Sequence, residues 1–322
     1  MILAGDIGAT KTLLALYDEN TMSCQYQASY VGQAYNDFYS LLDDFLQRTQ
    51  PNLTALCLGI AGPVINGHCQ TLNLPWSVNI SQLQTQTNCQ QIKLLNDLEA
   101  MAYGIQYLSA DEYYSLTPSL VKRQGNIALI AAGTGLGEAF LYWDGTRHHV
   151  IASEGGHVDF APRNDLEIEL LRFLQQRFNH VSYERLLSGA GLQVIYDFLK
   201  NQGYAQESPI ISQQLQQATD PSALISHFAL TNSSTLCNKT LEIFTSLYGA
   251  EAGNMALKCL SYGGVYLGGG IAPKILAELQ KPYFLNAFYE KGRYRVINEQ
   301  IPIYIILNQQ VVLLGAAWQA MR

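Results

Sequence analysis

The residues of this chain that are able to do chemistry fall on two short glycine-rich turns and on a few scattered clusters of acid, amide and imidazole groups. The turns are Asp6-Ile7-Gly8-Ala9-Thr10-Lys11-Thr12 and Gly133-Thr134-Gly135-Leu136-Gly137. Glycine at a bend adopts positive φ and lets a ligand approach the main chain, and successive N–H groups in a tight turn form a concave anion site. Thr10, Thr12 and Thr134 add hydroxyl donors. A single glycine turn is usually no more than a hairpin bend. Two of them, with an acid in the first only, have the pattern of one phosphate clasp built twice. A carboxylate is repelled by an oxyanion unless a cation lies between them, so Asp6 calls for Mg2+, held partly through water.

Neither turn is a better-known phosphate motif. No GxxxxGK[ST] occurs, and Gly133 to Gly137 leads into a strand, whereas a dinucleotide fingerprint requires a helix. Asn96-Asp97 stands where an apolar strand ends and a helix begins, a position that serves either to cap the helix or to face a ligand. Ser153-Glu154-Gly155-Gly156-His157 sets a carboxylate and an imidazole on either side of two glycines, in a ligand loop or in a flexible surface loop. Glu184 falls in the first turn of a predicted helix, where the dipole favours an acid whatever its function. His148-His149 lacks the spacing of a zinc site and reads as solvated loop. No GxSxG or HExxH string supports a hydrolase. The acids and amides that remain suit a polyhydroxylated ligand.

The elements that must position these groups follow from apolar periodicity. Each glycine turn joins two short apolar runs, 2–4 with 13–17 and 127–131 with 139–143, so both read as hairpins. Residues 36–48 carry Phe38, Leu41, Leu42, Phe45 and Leu46 at helical spacing, closed by Pro51. Strands follow at 55–60 and 91–95, then a helix over 98–108. Helices are predicted at 166–178, 190–199 and 233–260, the last with Gly249, Ala252, Gly253 and Ala256 on one face, open to another backbone or a flat ligand. A strand at 265–267 runs into Gly268-Gly269-Gly270 and a helix over 272–279 with Pro273 in its first turn. A last strand at 303–307 and helix at 311–321 return to the first unit. The expectation is an α/β chain of two domains, a smaller one of 1–107 plus 303–322 and a larger one of 108–302.

Composition sets the class. The 322 residues are 48% hydrophobic, enough for two cores. A net charge of -7 without a dense Lys/Arg cluster argues against nucleic acid or an anionic membrane as partner. There is no leader pattern and no apolar run of membrane-spanning length, and the six cysteines are far apart. A cytoplasmic protein with reduced thiols is expected.

These strings together closely resemble the bacterial glucokinase family, in the superfamily of sugar kinases, actin and heat-shock chaperones. LLNDLEA around Asn96 and Asp97, EGGHVDFAP around Glu154 and His157, and ERLLSG from Glu184 carry the resemblance, in order and over essentially the whole chain. It implies the two-domain actin-like ATPase (ribonuclease H-like) fold with an interdomain cleft. It implies ATP-dependent phosphorylation of glucose at the 6-hydroxyl, with Mg2+ and a homodimer. By resemblance, Asp6, Gly8, Ala9, Thr10, Lys11 and Thr12 form the first phosphate motif, Gly133, Thr134 and Gly135 the second, and Gly268, Gly269 and Gly270 the adenosine motif. Asn96, Asp97, Glu154, His157, Glu184 and Asn73 face the sugar, Asp97 as the base, and Asp6 holds the metal through water. Ala9 and Lys11 depart from the glycine and asparagine frequent in relatives. The zinc motif CxCGxxGCxE of ROK sugar kinases is missing, which favours the zinc-free branch. The competing expectations are a non-catalytic nucleotide- and sugar-binding regulator and a kinase for another hexose.

Overall fold

The computed structural model describes residues 1–8, 11–71, 74–121 and 123–322. The chain divides into two compact units, Met1–Glu112 with Asn308–Arg322, and Tyr113–Leu307.

The first unit is built on strands β1 (Ile2–Ile7), β2 (Lys11–Tyr17), β3 (Cys24–Val31), β4 (Ala55–Ile60) and β8 (Gln91–Asn96), in the order β3-β2-β1-β4-β8. β1 and β2 pair antiparallel as a hairpin, and β1, β4 and β8 run parallel. β5 (Val64–Ile65), β6 (His68–Gln70) and β7 (Ser77–Asn79) form a small separate sheet. Helix α1 (Phe38–Thr49) begins where the Asp37 carboxylate accepts the Ser40 amide at 2.7 Å, and buries Phe38, Leu41, Leu42 and Phe45 against one face of the main sheet. α2 (Ile80–Thr87) adds Leu83 to that face. On the opposite face Leu313, Ala316, Ala317 and Ala320 of α12 (Val311–Ala320) cover Ile2, Ala4, Ala55 and Cys57. α12 lies tight on α3 (Asp97–Gly104): a side chain at Gly315 would strike the Ala100 carbonyl, and one at Gly104 the Val311 carbonyl.

The second unit repeats the plan. β9 (Tyr113–Ser115), β10 (Ile127–Ala132), β11 (Leu136–Trp143), β12 (His148–Ser153), β13 (Gly264–Gly268) and β14 (Ile303–Ile306) stack as β12-β11-β10-β13-β14-β9. Apart from the added edge strand β9, this is the strand order of the first unit, with hairpin β10-β11 where β1-β2 stands there. The helices are α4 (Asp165–Gln175), α5 (Gly189–Asn201), α6 (Pro209–Gln217), α7 (Pro221–Leu230), α8 (Thr235–Cys259), α9 (Leu276–Leu279), α10 (Pro282–Tyr289) and α11 (Arg295–Asn298). α8 is buried on most of its circumference. Its Gly249 and Gly253 lie against the main chain of Phe284 and Phe288 in α10, so the small residues admit a backbone and not a flat ligand.

Three sequence expectations differ from the structure. The strand 303–307, assigned to the first unit, is β14 and pairs with β13 in the second, while only α12 returns. All four of its residues are buried, and an apolar strand of that kind needs neighbours on both edges, which β13 and β9 supply. The divide falls after Glu112 and not after Tyr107, because β9 adds Tyr113–Ser115 to the second sheet. His148 and His149 are not in a solvated loop but open β12, opposite Trp143 and Tyr142. The His148 Nε2 lies 2.9 Å from the Gly125 carbonyl oxygen. Among the described residues no helix is long and apolar enough to cross a membrane, and all six cysteines are unpaired thiols.

Replacing Gly315 by valine forces a side chain into the α3 main chain. The expected cost is about 1–3 kcal/mol, typical of overpacking, read as a lower urea midpoint at unchanged m-value. An unchanged midpoint would mean that α3 and α12 have slack between them.

Candidate active site

In the first unit the chemistry gathers at the carboxyl ends of the parallel strands. Asp6 lies in register with Gly59 of β4, and Gly59 with Leu95 of β8, so Asn96 and Asp97 follow on the same edge. Such an edge is where ligands bind in open α/β sheets. Gly59 permits the approach, since a side chain there would meet Val312, Ala100 and the Cα of Asp97. Asn96 caps α3: its Oδ1 accepts the Leu98 amide at 3.0 Å and its Nδ2 donates to the Gly62 carbonyl at 3.1 Å. An Asp97 carboxylate oxygen accepts the same Leu98 amide at 2.9 Å. Of the alternatives left by the sequence, capping is the one visible in the hydrogen bonds of both residues.

Asp6 is half-buried, and its carboxyl is pushed up to about 7 by burial first and by the negative field of Asp97 second, with Lys11 opposing. A hard divalent cation fits this donor set, because it would relieve both the burial of Asp6 and its repulsion from Asp97. Among the described residues no group of three His, Cys, Asp or Glu could cage a metal, so waters and a ligand's phosphates would have to complete the shell. The hairpin turn itself closes with the Gly8 amide donating to the Lys11 carbonyl at 3.1 Å, and Lys11 is exposed. Thr12 is different: it is fully buried in β2, its hydroxyl unpartnered among the described residues. Ala9, Thr10 and Asn73 lie outside the described residues.

In the second unit three glycine turns converge. The Gly189 amide, at the start of α5, donates to the Gly133 carbonyl at 2.9 Å. Gly269 has φ +79° and abuts the Ala132 main chain, and the Ile271 amide donates to the Ala132 carbonyl at 3.2 Å. The turn after β13 is therefore bound to the end of β10, which brings Gly270 beside Gly133. Between these turns and α7 lies a cavity of about 650 Å³. Gly133, Thr134 and Gly270 line it on one side, and Asp220, Ser222, Ser226 and His227 on the other, with Lys274 and apolar Ile271, Leu192 and Leu230. Main-chain amides and a lysine suit phosphate, and the apolar wall suits a flat base. Sequence reasoning missed the α7 wall, although Asp220-Pro221, a cap followed by proline at the first helical position, was the available signal.

The strings around Glu184 and around Glu154 and His157 are braced against this hairpin. Glu184 occupies a three-residue 3-10 turn, Tyr183–Arg185, where the sequence suggested the first turn of a helix. Its Oε2 accepts the Leu136 amide at 3.0 Å, next to Gly135, and its Oε1 lies 3.9 Å from His157 Nε2. Gly135 leaves room for that carboxylate, into which a side chain would project. Glu154 and His157 are exposed at the two ends of the turn Gly155–His157, joined by the His157 amide donating to the Glu154 carbonyl at 3.0 Å. The two glycines between them serve close packing and not flexibility. A side chain at Gly156 would enter the Leu136 carbonyl, and one at Gly155 the carboxyl of Glu138.

A sequence model of the glucokinase family matches residues 3–322. The chain belongs to the glucokinase family. Glucokinase of Nostoc punctiforme is 42% identical to it, over 100% of this chain and 99% of that protein. The crystal structure of glucokinase from an Antarctic psychrotroph superposes with a TM-score of 0.85 at 28% identity, over 99% of this chain and 98% of that one. That of Balamuthia mandrillaris glucokinase, solved with glucose, gives a TM-score of 0.83 at 22% identity, over 100% and 93%, a likeness of fold. The fold is the two-domain actin-like ATPase fold of these enzymes, which accounts for one strand order appearing in both units.

Because the charge of Asp97 helps to raise Asp6, Asp97→Asn should let Asp6 titrate clearly below about 7, followed by carbon NMR of the aspartate carboxyls. The sign carries to stability. A carboxyl raised in the folded chain holds a proton that the unfolded chain has lost, so wild-type stability falls as pH rises toward 7, and should fall less in the variant. An unmoved Asp6 titration would separate the two groups.

Proposed function

We propose that this chain transfers the γ-phosphoryl group of ATP to the 6-hydroxyl of glucose, giving glucose 6-phosphate and ADP. Glucose phosphorylation is the activity of the family to which it belongs, matched from residue 3 to residue 322. The observation that best supports the residue-level reading is Glu184, whose carboxylate bonds the amide of the second glycine hairpin and faces His157 of the sugar string. The group to be transferred and its acceptor would thus be held from one side chain.

Asp97 takes the hydroxyl proton as the sugar oxygen bonds to the γ-phosphorus and the bond from that phosphorus to the β–γ bridging oxygen breaks. Glu154, His157 and Glu184 bond ring hydroxyls, and Asn96 orients the sugar from its capping position. Asn73 joins them by resemblance. The first hairpin, with Gly8, Ala9, Thr10, Lys11 and Thr12, and the second, with Gly133, Thr134 and Gly135, hold phosphates through main-chain amides, while Gly268 to Gly270 seat the adenosine. Mg2+ supplies neutralisation of the β- and γ-phosphate charge when bound, and Asp6 would hold it through water. A homodimer in the cytoplasm, without nucleic acid or membrane partners, belongs to the same reading. It is supported by the resemblance and by the net charge of -7.

Two variants test these roles in a coupled assay of glucose-dependent ADP release. Asp97→Asn should bind glucose nearly as wild type while turnover falls by about 10² or more, the usual scale for loss of a general base; near-normal turnover would remove Asp97 from that role. Glu184→Ala should raise KM for both glucose and ATP by roughly tenfold or more, the scale of a lost charge-assisted hydrogen bond. A change in the glucose KM alone would leave the hairpin independent of Glu184. A panel of hexoses in the same assay decides between glucose and another acceptor.

A further inference from the structure

Beneath the sugar string lies a carboxyl that the reaction does not use. Glu138 projects from β11, opposite Ser153 of β12, and is 1% exposed. Its Oε1 has no hydrogen-bond partner among the described residues. Its Oε2 is packed on Gly155, where any side chain would collide with it. The amide of Gly155 already donates to Ser153 Oγ at 2.8 Å.

The groups around Glu138 determine its charge. Helix α8 brings Glu251, fully buried, with Lys258 and Tyr248. The turn at 183–185 carries Tyr183, Glu184 and Arg185, the sugar string Glu154, His157 and Asp159, and β12 only His148 and His149 at its far end, while β10 has no titratable residue. Glu251 is well supplied with donors, accepting from Asn254 Nδ2 at 2.9 Å and Lys258 Nζ at 3.2 Å. Two buried carboxyls so placed cannot both ionise cheaply, and Glu138 is the one without a donor on Oε1. Burial and the charge of Glu251, only partly offset by Lys258, accordingly push the Glu138 carboxyl up to about 8.

We infer that Glu138 is a positioning residue for the sugar string: a neutral carboxylic acid on which Gly155 rests, holding Glu154 and His157 where they meet glucose. This rests on the reading of Glu154 and His157 as sugar ligands. Ionised Glu138 would be a buried charge with Oε1 lacking any donor, so water must reach it and the Gly155–His157 turn must lift. Bound sugar opposes that lift, so the effect belongs to glucose capture and not to turnover at saturation.

The test is the pH profile of the intact enzyme. Wild-type kcat/KM for glucose should fall above about pH 8, by about tenfold one pH unit further on as one group titrates, with kcat nearly level. Glu138→Gln, neutral at every pH and of the same shape, should abolish the fall. Glu251→Gln removes a like charge from beside Glu138, so in that variant the fall should move to lower pH, which a merely structural role would not produce. Lys291, lowered to about 8 by burial and by Arg163, donates to Asn254 Oδ1 at 2.8 Å and loses its proton in the same range. A fall that survives Glu138→Gln would belong to another group, such as Lys291, and overturn the inference, as would a fall unmoved in Glu251→Gln. A separate outcome, Glu154→Gln and His157→Ala leaving KM for glucose unchanged, would remove the sugar site itself and the inference with it.

Discussion

One carboxylate ties the second unit's working parts together. Glu184 accepts the Leu136 amide at the end of the glycine hairpin and stands beside His157. Four residues on, its backbone neighbourhood becomes the cap of α5, where the Ser188 hydroxyl donates to the Glu184 carbonyl at 2.8 Å and accepts the Gly191 amide at 3.1 Å. α5 in turn presents the Gly189 amide to Gly133. The hairpin, the imidazole and the helix start are thereby held through one short turn. A binding constellation requires that kind of shared rigidity, because small misplacements at a reacting centre are costly.

Close backbone approach makes the arrangement possible. Gly135 admits the Glu184 carboxylate, Gly156 admits the Leu136 carbonyl, and Gly269 admits the end of β10. In each case the glycine is needed for what touches it, and only Gly269, at φ +79°, is also needed for its own conformation. The same economy in the first unit lets α3 and α12 meet at Gly104 and Gly315, which settles α3 with Asn96 and Asp97 at its start.

Burial then sets the protonation of the acids. Asp6 beside Asp97 and Glu138 beside Glu251 are both raised by desolvation first and by a like charge second. Perturbed acids of this kind gather where a protein binds or reacts. Their difference lies in access. Asp6 is half-buried on the ligand edge, where a cation could relieve it, while Glu138 is sealed under a strand and a loop, where only a proton can.

The two hairpins, the capped start of α3 and the glycines after β13 were legible in the sequence because each is local: a turn, a cap and an apolar run are written in consecutive residues. The strings around Asp97, Glu154 and Glu184 were legible for the same reason. Which sheet takes Ile303–Ile306, that Gly249 and Gly253 face α10, and that Glu138 feels the charge of Glu251 were decided only by tertiary structure. In those cases the deciding partner lies far along the chain, 113 residues away for Glu138 and Glu251 (251 − 138). Hydrophobic periodicity states that a face is buried; it does not state against what. The sequence by itself thus marked the two glycine hairpins and the strings around Asp97, Glu154 and Glu184, and the packed structure determined what braces them and which of the acids burial and a like charge raise.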